Sequence, residues 1–115
     1  MVERYRIDLQ NIVDRFEAAR EEPAGIECRH FFSGAAAYVD GRIFMSLSPA
    51  GLALKLPTAE REKLRAAGAG SLRYFPEAPV KKGYVVLPDD IAGDHEALAP
   101  LIEKAIAHCQ EDRTT

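Results

Sequence analysis

Apolar side chains at Tyr5, Leu9, Ile12, Val13, Phe16 and Ala19 recur every three or four residues, the spacing that gathers them on one stripe of a helix. Pro23-Ala24-Gly25 breaks that pattern, and beyond it the period falls to two. Ile26, Cys28, His30 and Phe32 alternate with Glu27, Arg29 and Phe31, which predicts a strand with the first set on one face. Two further runs, Ala35 to Val39 and Arg42 to Ser48, flank Asp40-Gly41, a dipeptide suited to the positive φ that a type I′ turn needs at both central positions. That turn sets Val39 opposite Arg42 and Tyr38 opposite Ile43. Ser48-Pro49-Ala50-Gly51 makes the next turn, and Leu52, Leu54 and Leu56 alternate with Ala53 and Lys55 in a fourth strand.

In the second half, Thr58 is expected to cap a short helix through residue 67, with Leu64 and Ala67 as its thin apolar face and Gly68 as its left-handed stop. Leu72 to Phe75 and Tyr84 to Leu87 read as two strands joined by the Pro-rich residues 76 to 83. The last helix opens at Asp90 or Asp94 and carries the stripe Leu98, Leu101, Ile102, Ala105, Ile106 and Cys109, with a kink or restart expected at Pro100. Residues 110 to 115 are expected to fray. The order α-β-β-β-β-α-β-β-α predicts a single α+β domain over residues 1 to 115: a two-layer sandwich with an antiparallel sheet of five to six strands and three helices.

Strict alternation along the hairpin sends Tyr38, Ile43, Met45 and Leu47 to one face and Ala37, Val39 and Phe44 to the other. With the leucine series joined to the first set as the core, Phe31, Ala37, Val39 and Phe44 are left as an exposed apolar patch. Twofold pairing is the commonest way to cover such a patch, so a homodimer through these residues is expected.

Composition narrows the functional classes. The 115 residues are 47% hydrophobic, enough for a domain to hold together without a metal or disulfide. No stretch, the uncharged run Phe31 to Val39 included, approaches the roughly 18 consecutive apolar residues of a membrane span. Two widely spaced cysteines and an opening Met-Val-Glu-Arg-Tyr-Arg without an apolar signal core predict a reducing, cytoplasmic setting. The net charge of −3 is uneven: residues 55 to 82 carry +4, from Lys55, Arg61, Lys63, Arg65, Arg73, Lys81 and Lys82 against three acids, while residues 83 to 115 carry −5. One mildly basic segment in an acidic chain argues against nucleic acid as the main ligand.

Candidate chemistry is sparse. Cys28 and His30 share a strand face and supply two of the ligands zinc prefers, with His95, His108 and Cys109 elsewhere in the chain, but their apolar neighbours favour core packing. Ser33-Gly34 lacks the flanking glycines of a nucleophile elbow. Asp89, Asp90 and Asp94 lack calcium-loop spacing and fit a helix start. Lys81-Lys82 leads into no phosphate-binding helix and fits a guarded strand edge. No catalytic residue, metal or cofactor is expected, and the chain reads as a non-enzymatic domain with an unidentified protein partner. The alternatives are a small-molecule pocket or enzyme built on Cys28, His30 and Tyr84 and, third, weak nucleic-acid binding through the basic segment 55 to 82.

Four segments carry a resemblance: Arg29-His30-Phe31-Phe32-Ser33-Gly34, Asp40-Gly41-Arg42-Ile43-Phe44-Met45, Leu52-Ala53-Leu54-Lys55-Leu56 and, most specific, Val80-Lys81-Lys82-Gly83-Tyr84-Val85-Val86-Leu87-Pro88. Together they resemble the TfoX N-terminal domain family over nearly the whole chain. The family's Met-Phe-Gly-Gly segment stands here as Phe31-Phe32-Ser33-Gly34. The resemblance implies a secretion-chaperone-like two-layer fold, a stand-alone TfoX-like protein, an association with regulation of bacterial competence, and no known catalytic residues.

Overall fold

A computed structural model describes residues 2–31, 34–73 and 77–112, with the side chains of residues 2, 3 and 112 left aside. Helix α1 (Val2–Ala18) precedes the strands β1 (Ile26–Phe31), β2 (Gly34–Val39), β3 (Arg42–Ser48) and β4 (Gly51–Lys55). Helix α2 (Thr58–Ala66), strand β5 (Tyr84–Val86), the single turn α3 (Asp89–Ala92) and helix α4 (His95–Asp112) follow. The strands form one antiparallel sheet in chain order, β1 to β5, with α2 inserted between its last two members. The fold is therefore α+β, with five strands. Of the sixth strand expected at 72–75, Leu72 and Arg73 are irregular, and residues 74 and 75 lie outside the described residues.

The Asp40-Gly41 turn forms as its chemistry requires, with φ of 53° and 78°, and Val39 faces Arg42. Two pairs further on the alternation breaks. Tyr38 pairs with Ile43, but Ala37 pairs with Met45, so β3 carries one residue more than β2. This bulge lets Phe44 and Met45 point to the same side, and both are fully buried in the main core. Ala37 and Val39 join them there, together with Leu52, Leu54 and Val85. Met45 and Leu47, expected on the opposite face, thus share one face with Ala37, Val39 and Phe44, while Tyr38 and its partner Ile43 keep to the other. The patch expected from Phe31, Ala37, Val39 and Phe44 is not an outer surface, because three of its members are 0–1% exposed beneath the helices.

Helix α1 packs over β1, β2 and β3 through Leu9, Val13 and Phe16, and α4 packs over β3 and β4 through Leu98, Ile102, Ala105, Ile106 and Cys109. The other sheet face centres on the small residues Ala36, Ser46 and Ala53, all at most 1% exposed. Part of its cover is the chain between α2 and β5: Leu72 is fully buried against Ala53 and Tyr84. Reciprocal backbone bonds of 2.9 Å between Gly70 and Val86, and one from Lys81 to the Leu72 carbonyl, fasten that segment.

Helix boundaries differ from expectation in instructive ways. Pro57, not Thr58, occupies the cap of α2, and Thr58 is its first helical residue, its hydroxyl accepting a bond from Arg61. Gly68 does take the left-handed conformation, at φ 108°, but Ala67 is exposed, leaving Leu64 as the helix's buried residue. Asp94 caps α4 by accepting from the amides of Glu96 and Ala97. The helix then runs unbroken through Pro100 and on through Gln110 and Glu111 to Asp112. Pro100 is exposed, so water can satisfy the carbonyl left without its amide partner.

Candidate functional site

The three residues proposed to share a pocket are widely separated. Cys28 sits on the helix-facing side of β1, half-buried, with His30 exposed two residues on. Tyr84 lies on β5, the opposite edge of the sheet, and packs on the other face with Ala53 and Leu72. Four strand spacings, about 19 Å in all, and the sheet itself lie between them. Burial, reinforced by Asp14 and opposed by Arg6, pushes the Cys28 thiol up from 9.0 to about 11, so near neutral pH it is protonated and a weak nucleophile.

Cys109, on the sheet-facing side of α4, is buried with its Sγ 3.9 Å from the Arg42 carbonyl oxygen, and it is not bonded to Cys28. His95 opens α4 and His108 lies near its end. Among the described residues no three His, Cys, Asp or Glu side chains come together as a metal site. Asp89 and Asp90 form the first turn of α3, and Ser33 lies outside the described residues.

The basic segment is dispersed. Arg61 donates to the Leu56 carbonyl at 2.5 Å, Arg73 to the Ala78 carbonyl at 2.7 Å, and Lys63 approaches Glu60 at 3.8 Å. Lys104 from α4 reaches the same Glu60 carboxylate at 3.0 Å and, with Lys63, holds it below its ordinary titration range. A shallow groove of about 240 Å³ runs beside this pair, lined by Pro57, Glu60, Lys104 and His108.

A larger groove of about 440 Å³ lies between the end of α1 and the start of α4, with Phe16, Ala19, Ala99 and Pro100 as its apolar walls. Arg20 is paired there with Glu103, and its guanidinium stands 5.2 Å from the centre of the Phe16 ring. It also bonds the Glu22 carbonyl, so its charge is spent joining the end of α1 to α4. Sequence spacing carries no trace of this contact, since its partners are 83 residues apart.

A helix-covered antiparallel sheet whose reactive side chains are scattered defines a small α+β domain without an assembled catalytic set among the described residues. The profile of the TfoX N-terminal domain family matches residues 19–109, from just after α1 through almost all of α4. The chain belongs to that family. No curated protein matches it. Among the described residues no helix is long and apolar enough to cross a membrane.

Proposed function

We propose that this chain is a non-enzymatic, cytoplasmic regulatory domain of the TfoX N-terminal type that works by binding protein, as a homodimer and with a further protein partner. The family match over residues 19–109 carries this reading. The family association with competence regulation suggests the kind of process served. The placement of Cys28 and Tyr84 on opposite faces and opposite edges of the sheet supports it further, because concerted acid, base or nucleophilic work needs groups within hydrogen-bond reach.

The test has two arms. The immobilised chain, challenged with extract from its own cells, is expected to retain a specific partner that free chain displaces saturably; no displaceable partner overturns the binding role. Iodoacetamide is expected to modify Cys28 more slowly than free cysteine at pH 7.5, given its raised pKa. Faster modification than free cysteine would restore the enzyme reading.

A further inference from the structure

The two edges of the sheet are finished differently. Beyond β5, the bonds between Gly70 and Val86 and the turn of chain through Leu72 and Lys81 occupy the edge. Beyond β1 no strand follows among the described residues, so alternate amides and carbonyls of Ile26–Phe31 face outward. Charged residues on an edge strand ordinarily discourage pairing, and β1 carries Glu27 and Arg29 on its outer face, 2.6 Å apart. Their order, however, is self-complementary: one negative and one positive side chain stand one residue either side of Cys28.

We propose that two copies of the chain pair through antiparallel β1 strands about a twofold axis at Cys28, joining their sheets into one of ten strands. This proposal supplies a surface for the homodimer put forward above and rests on that reading. About this axis Glu27 lies opposite Arg29 of the partner subunit, and Arg29 opposite the partner's Glu27, while Ile26 lies opposite the partner's His30. A strand offered to any other chain would meet charges in no particular order; offered to itself, it meets the opposite sign at both positions.

Helix α1 adds a second complementarity about the same axis. It packs over β1 and β2, and Arg6 and Asp14, two turns apart on it, are the charges that act on the Cys28 thiol. The midpoint is Gln10, about 6 Å along the helix from each. An axis through Cys28 perpendicular to the sheet sets α1 antiparallel to its copy, with Arg6 of one chain toward Asp14 of the other. Opposite charges on two elements meet about one axis, which is why a second copy is the occupant.

Light scattering at micromolar concentration in low salt should give a dimer for the wild type. E27R and R29E should each dimerise roughly tenfold more weakly, because like charges then face each other twice. An equimolar mixture of the two variants should recover the dimer, one chain bringing two positive and the other two negative residues. A monomeric wild type overturns the homodimer and this surface together. A dimeric wild type whose variants dimerise as tightly overturns the surface alone. Hydrogen exchange of the wild type needs no variant: amides of residues 26–31 should gain protection on raising concentration through the dimerisation range. Concentration-independent exchange there overturns the proposal.

Discussion

At Asp40 and Gly41 the backbone occupies a region that L side chains with branched β carbons avoid. Gly41→Val should therefore lower stability by roughly 1–2 kcal/mol, measured as a fall in the urea midpoint. Gly34 is needed for a different reason: a β carbon there would collide with the Leu47 carbonyl oxygen and come within 2.8 Å of the Ser48 Cα. Cys28 makes a pH-dependent contribution whose direction follows from its raised pKa. The unfolded thiol ionises first, so the contribution is fully present below 9.0 and is lost as pH rises through about 11. The stability difference between wild type and Cys28→Ala should be constant below pH 8 and shrink steadily from pH 9 upward. A difference that stays flat to pH 11 would show that the thiol is not perturbed. The turn was legible from two adjacent residues because its constraint is steric and local. The Cys28 environment was not, since it depends on burial in the folded chain and on Asp14 and Arg6, residues of a different element.

Among the elements, β3 decides the architecture of the core. Its extra residue places Phe44 beside Met45, and both side chains are fully buried. Phe44→Ala should cost about 3–5 kcal/mol. Phe44→Glu should fail to give a cooperative unfolding transition, because an unpaired charge would be sealed in the core. A Phe44→Glu protein that melts like the wild type would place this side chain at the surface and remove the bulge. Strict alternation misassigned Phe44 because a bulge is set by the register between two strands, and the residues of one strand alone do not encode it. Element type was legible in α1, β1 to β4 and α4, where periodicity ran long enough to distinguish 3.6 from 2. It failed at Leu72, whose apolar character serves to cover Ala53 and Tyr84 instead of entering a ladder.

For the molecule as a whole, the helical layer seals one face of the sheet and the Leu72 segment part of the other, while β1 remains an edge. If β1 is the dimer contact, its charged pairs are peripheral and screened by salt. Raising the ionic strength from 0.05 to 0.5 M should weaken association while leaving the monomer's urea midpoint nearly unchanged, as no charged side chain is buried in the core among the described residues. Association that strengthens with salt would point to an apolar interface. Arg20 with Glu103 and Lys104 with Glu60 tie α4 to α1 and α2, and belong to this same scale.

What the sequence determined by itself was whatever depends on near neighbours. The turn at Asp40-Gly41, the periods of the helices and strands, the α+β class and the family motifs all follow from residues a few positions apart, because sterics and side-chain direction act over that range. Only the tertiary structure decided which face Phe44 joins, what covers Ala53, that Cys28 and Tyr84 never meet, and that β1 is left at an edge. Each of these depends on the register and packing of segments distant in the chain, where a shift of one residue inverts the outcome.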